Sequence, residues 1–170
     1  MVKMWSIIFL IILLGTAYSC PSVCKCVGDD AECTHRSLKD FSNVDFTRTV
    51  HKLDFSHNTI TEIGEFDLRD MYIFCLKHLD LSHNAITYIH PHAFFGQSAL
   101  TVVDLSWNNI RYIHLNILSY LRTIKWLSLA HNHITVPSTG AFLNSDNLEI
   151  LHMEHCGIKD ISFLTFWERN

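Results

Sequence analysis

The chain has 170 residues, 48% hydrophobic and 18% charged, which fits one domain with enough apolar material for a core and argues against disorder. Its formal net charge is −4 and its basic residues are scattered and outnumbered, which argues against a polycationic nucleic-acid binder. Three prolines and six glycines leave no room for a flexible linker or a low-complexity tract.

Lys3 supplies a positive start, Ile7 to Leu14 is an unbroken apolar run, and Ala17 and Ser19 put small residues three and one positions before Cys20. That layout predicts a secretory signal peptide over residues 1–19, cut before Cys20. The competing reading is a membrane anchor, but the thirteen residues from Trp5 to Ala17 fall short of the roughly 20 that a spanning helix needs. A lipidated Cys20 is a weaker rival, because Ala17 stands where such signals prefer leucine. Cleavage leaves twelve basic against seventeen acidic residues in a secreted chain. A membrane link would need a span or anchor beyond Asn170.

Cys20, Cys24, Cys26 and Cys33 fall within fourteen residues. An even, tight set in an oxidising compartment reads as two disulfides. A four-thiolate zinc site more often presents two short Cys pairs separated by a longer loop. Three pairings are possible, and spacing alone does not choose among them.

From residue 50 onward one template recurs five times, starting at Val50, Leu76, Leu100, Ile124 and Leu148. Taking those residues as place 1, apolar residues hold places 1, 4, 6 and 11 throughout. Place 9 is Asn58, Asn84, Asn108, Asn132 and Cys156, at steps of 26, 24, 24 and 24 residues. Places 4 and 6 alternate with polar neighbours, the mark of a short strand with one buried face, and stacking pairs such strands in a parallel sheet about 4.8 Å apart. Place 9 needs a small polar side chain that turns inward to satisfy backbone groups, which makes Cys156 a buried structural thiol. Eighteen residues after place 1 come Leu68, Phe94, Leu118, Phe142 and Phe166, expected to fill the core from the convex side. No repeat can bury its apolar face alone, so stability is a sum over neighbours.

These repeats resemble the 24-residue typical class of extracellular leucine-rich repeats. The run Cys20-Pro21-x2-Cys24-x-Cys26-x6-Cys33 resembles the N-terminal cysteine cap of the same Slit-like, Toll-like and small leucine-rich proteoglycan superfamily. The resemblance implies an α/β solenoid, a horseshoe with a parallel concave sheet, with a disulfide-closed cap over residues 20–49 and about five repeats over 50–170. It also implies pairing of Cys20 with Cys26 and of Cys24 with Cys33. The chain departs from the pattern in lacking a C-terminal cysteine cap, and it ends on the aromatic stretch Phe163 to Asn170. Since a terminal repeat wants a polar outer face and a covered strand edge, the sequence reads as a fragment of a longer array. Cys75 and Cys156 are three repeats apart, about 14 Å at sheet spacing against the roughly 7 Å a disulfide allows, so both should be free.

The candidate chemistry lies on the concave strands. Place 8 carries His57, His83, Trp107, His131 and His155, an expected column of rings along one edge of the sheet. Place 5 carries Asp54, Asp80 and Asp104, then Ser128 and His152. Rungs about 4.8 Å apart exceed the roughly 2 Å reach of a metal bond, so the column is read as solvated polar surface, and no metal or cofactor is expected anywhere in the chain. Ser56, Ser82 and Ser106 each lie near a histidine and an aspartate, but a repeated solvent-facing pattern supplies no oriented nucleophile or oxyanion hole. The chain is read as a non-enzyme. Place 3 carries Lys52, His78, Val102, Trp126 and Ile150. Trp126 with Trp107 is expected to form an aromatic centre flanked by Lys52, His78, Asp80, Asp104, His83 and His131, the kind of anchor that binds protein. Two functions follow from different classes: a secreted or ectodomain module that binds a protein partner on its concave face, and a structural matrix component of the proteoglycan type. The chain holds no Asn-x-Ser/Thr sequon and no Ser-Gly dipeptide, which favours recognition.

Overall fold

The computed structural model describes residues 19–42, 44–136 and 142–158. The expected signal peptide, apart from Ser19, lies outside the described residues, as do Phe166 and the aromatic end of the chain.

The cap opens with an antiparallel hairpin, β1 (Lys25–Val27) and β2 (Asp30–Glu32), whose turn is made possible by Gly28 at φ +59°. β2 then pairs in parallel with β3 (Lys52–Asp54), setting Ala31 opposite Leu53. Ala31, Cys33 and His35 thereby fill the places held one rung later by Leu53, Phe55 and His57, so the cap is itself a rung without a full repeat behind it. Disulfides join Cys20 to Cys26 and Cys24 to Cys33, with Cα–Cα distances of 5.9 and 4.2 Å. Cys75 is exposed and Cys156 buried, and both thiols are free.

After β3 the chain makes β4 (Glu62–Ile63) and a single helical turn, α1 (Asp67–Asp70), before returning as β5 (His78–Asp80). The later rungs contribute β6 (Tyr88–Ile89), β7 (Val102–Asp104), β8 (Trp126–Ser128) and β9 (Ile150–His152). The main sheet runs β1-β2-β3-β5-β7-β8-β9, parallel from β2 onward, with Leu53, Leu79, Val103, Leu127 and Leu151 in one row across it. β4 and β6 form a second small parallel pair on the flank. Among the described residues the convex side is otherwise turns and α1, so this solenoid carries little helix.

The apolar template explains the core. In the first four repeats places 1, 4, 6 and 11 are buried in every case, as are Leu68, Phe94, Leu118 and Phe142 from the convex side. Burying each such side chain fully contributes about 1.5–3 kcal/mol. In the fifth repeat the corresponding Leu148, Leu151, Met153 and Ile158 are half-buried. The longer first repeat accommodates its extra residues in the loop before β5. There Met71 and Ile73 turn inward while Tyr72 and Phe74 stand exposed, and buried Gln97 donates its Nε2 to the Ile73 carbonyl at 2.9 Å.

Place 9 stitches the rungs together. Each asparagine donates its amide to carbonyls of its own rung and the rung before, as Asn108 does to Leu105 at 3.1 Å and Leu81 at 2.9 Å. Its Oδ1 accepts a backbone N–H from the preceding rung: Ile60 to Asn84, Ile86 to Asn108 and Ile110 to Asn132. Asn58 reaches the cap in the same manner, accepting the N–H groups of Arg36 and Leu38 and donating to the Cys33 carbonyl. Cys156 keeps only half of this pattern, with Sγ lying 3.0 Å from the Leu129 carbonyl. Burial pushes its thiol pKa up, as for an inert structural cysteine.

Candidate functional site

The place-8 residues owe their exposure to the backbone. His57, His83, Trp107, His131 and His155 all adopt φ between +53° and +57°, the left-handed region, and so does His35 of the cap. This turn lets the N–H of His57, His83, Trp107 and His131 bond the carbonyl of Ser82, Ser106, Ala130 and Glu154 on the next rung at 2.9–3.1 Å. It also sends place 9 inward and place 8 outward. Because rungs repeat at about 4.8 Å, near the separation at which rings stack, the outward side chains form one continuous column.

That column has six rings. Centroids lie 4.5 Å apart for His35–His57, 4.3 Å for His57–His83, 5.3 Å for His83–Trp107, 3.7 Å for Trp107–His131 and 4.4 Å for His131–His155, with interplanar angles of 20° or less. Near-parallel rings aim their nitrogen lone pairs side by side rather than at a shared point. His83 is held below the ordinary histidine range, first by burial between its neighbours and then by the charges of His57 and His131, against the pull of Asp80 and Asp104.

The aspartates of place 5 are half-buried, and each has a local task. Asp54, Asp80 and Asp104 accept the backbone N–H of Ser56, Ser82 and Ser106 at 2.8–2.9 Å, fixing the chain as it leaves the strand. The three serines are 6–8% exposed, so their hydroxyls stand behind the surface rather than on it.

The place-3 row forms a different part of the face. Lys52, His78, Val102 and Trp126, with Asp80 and Asp104, surround a shallow depression of about 270 Å³. Trp126 is half-buried and leans on His152 at 5.3 Å, with Ile150 beyond it 49% exposed. Trp107 is 50% exposed and belongs to the ring column, beside a second hollow lined with His131 and His155. The two tryptophans line different hollows, Trp126 the one on the strand face and Trp107 the one at its edge. Trp126, Lys52, His78, Asp80 and Asp104 come together on the strands, and Trp107 joins His83 and His131 at the edge. His35 is the member of the column that the repeat template missed. Its signal was Ala31-x-Cys33-x-His35, which copies the spacing of places 4, 6 and 8.

Stacked short strands, an inward asparagine on successive rungs and an open strand face define a solenoid of repeats with a parallel sheet along one side. The leucine rich repeat family model matches residues 74–134 and 99–158, and the chain belongs to the leucine-rich-repeat family. Human leucine-rich repeat-containing protein 3B is 31% identical over 121 residues, covering 69% of this chain and 46% of the relative. Mouse leucine-rich repeats and immunoglobulin-like domains protein 2 is 31% identical over 121 residues, covering 71% of this chain and 11% of the relative. The chain thus spans less than half the length of these relatives. The solved structure of a TLR13–ssRNA13 complex shares the fold, with a TM-score of 0.53 at 18% identity over 81% of this chain and 30% of that one. This family and fold are those of non-enzymatic protein-interaction modules.

Proposed function

We propose that this chain is an extracellular recognition module that receives a protein partner on its concave face, with Trp126 as the central anchor. The observation that carries this reading is the place-3 row. Lys52 and His78 at one end and Val102 and Trp126 at the other put charge and apolar surface on adjacent strands around one depression, with exposed Ile150 on the strand beyond. An aromatic side chain already held against His152 loses little freedom on binding, the property that makes such residues anchors. Two disulfides in the cap suit an oxidising compartment, and a signal peptide ending at Ser19 would deliver the chain there. The secreted protein would then begin at Cys20, which N-terminal sequencing reads directly. Asp80 and Asp104 border the depression and favour a partner segment carrying basic residues, and a protein fits this surface better than a polyanion such as nucleic acid.

Immobilised secreted protein presented to an extracellular extract, followed by titration of the captured partner, tests the reading. Trp126→Ala should weaken binding by about 2 kcal/mol, roughly thirtyfold, with the circular dichroism of the array unchanged. Trp107→Ala in parallel reports whether the partner also reaches the ring column. A partner that binds both variants as tightly as the parent chain places the interface elsewhere.

A further inference from the structure

On the flank, away from the strand face, three side chains from two rungs converge. Glu65 follows β4, and His90 and His92 follow β6, the strand paired to it. One ligand atom from each lies within 4.8 Å of the other two. His92 Nδ1 and Glu65 Oε1 are 3.2 Å apart, about the separation of two neighbouring ligands across a metal with bonds of roughly 2.0–2.2 Å. Pro91 stands between the histidines and limits their backbone freedom. His92 is further held edge-on against the ring of Tyr120 at 5.8 Å and that of His90 at 5.3 Å.

From this convergence we infer that Glu65, His90 and His92 form a zinc site, a two-histidine, one-carboxylate set completed by water, that bridges the first and second rungs. Imidazole nitrogen and carboxylate oxygen are donors zinc accepts, and a modest closure of exposed side chains brings all three within reach. Glu65 and His92 are exposed and His90 half-buried, so the ion has an entry path. The site has to displace one contact: His90 Nδ1 accepts the backbone N–H of His92 at 3.1 Å, and that bond gives way either to a metal at Nδ1 or, with the metal at Nε2, to the proton that then sits on Nδ1. The third rung provides an internal contrast: His114 Nδ1 accepts the N–H of Asn116 at 3.2 Å in the same turn. That turn forms with no second histidine at the position of His92, so the turn itself does not require the His-Pro-His arrangement.

The test is calorimetric titration of tag-free, disulfide-intact protein with zinc sulfate near neutral pH, alongside Glu65→Gln, His92→Ala and His114→Ala. The expected result is one equivalent bound in the micromolar range. Glu65→Gln and His92→Ala should weaken it roughly tenfold or more, while His114→Ala leaves it unchanged. Zinc should also raise the unfolding midpoint of the parent chain, because an ion held across two rungs binds only the folded state, and that rise should be clearly smaller in Glu65→Gln at the same zinc concentration. Absence of a stoichiometric site, or a site that both ligand variants retain at parental affinity, overturns the assignment. Since Glu65→Gln preserves shape, its result stands even where His92→Ala disturbs the flank.

Discussion

Leu127 and Leu151 hold the same place in neighbouring rungs, yet Leu127 is 2% exposed and Leu151 is half-buried. The same contrast separates Leu129 from Met153 and Ile134 from Ile158. Within the described residues, β8 has a strand on each side and β9 pairs only with β8. Burial in a solenoid is conferred by neighbours, so identical residues in identical local conformation differ in worth by how many rungs flank them. Place 9 sharpens the contrast. Asn132 both donates to the Leu105 and Leu129 carbonyls and accepts from Ile110, whereas the Cys156 thiol can donate to Leu129 but is a weak acceptor for the N–H of Ile134.

The comparison breaks or holds on paired substitutions measured by urea denaturation. Leu127→Ala should cost about 3 kcal/mol through the cavity it leaves between two rungs, and Leu151→Ala only about 1 kcal/mol. Equal losses would mean that the fifth rung is as well covered as the fourth. Asn108→Ala should cost about 2 kcal/mol, since it strips partners from Leu81 and Leu105 carbonyls and from the Ile86 N–H at once. Cys156→Asn should have the opposite sign and stabilise by about 1 kcal/mol, because an amide oxygen would serve the N–H of Ile134. A destabilised Cys156→Asn would show that the fifth rung departs from the pattern in backbone as well as side chain.

The smallest effect concerns pH. His83 is held below its ordinary pKa of 6.5 when folded, so the unfolded chain takes up the proton first and stability falls as pH drops below about 6.5. The decline ends once pH passes below the folded value. His83→Gln should flatten that part of the stability profile between pH 7 and 5, and an unchanged slope would show that the stacked rings do not disfavour the charge.

The register of the sheet, the core rows and the inward role of place 9 were legible because the template states them five times over. What repetition could not state was read poorly. His35 belongs to the column, but its rung sits 22 residues before the next and carries Arg36 where four of the five repeats carry asparagine. The template placed Trp107 and Trp126 on the same face, but it did not state that they line two different hollows. Glu65 follows β4 in the first repeat while His90 and His92 follow β6 in the second, so their approach is a contact between rungs that no spacing within one repeat states. The task of Asp54, Asp80 and Asp104 was hidden for another reason: bonding to a backbone two residues on leaves no trace in hydrophobic periodicity.

The left-handed φ of the place-8 residues restricts what the edge of this protein can become. Asparagine, aspartate, histidine and glycine enter that region at little strain, whereas valine, isoleucine and threonine are strongly disfavoured there. A combinatorial library randomised at positions 57, 83, 107, 131 and 155 would therefore return a narrowed alphabet before any ligand had acted on it. Positions 52, 78, 102, 126 and 150, on extended strand backbone, would tolerate the branched residues that the edge refuses. New binding specificity would thus be written mainly along the strands, with the edge contributing flat rings and small polar groups.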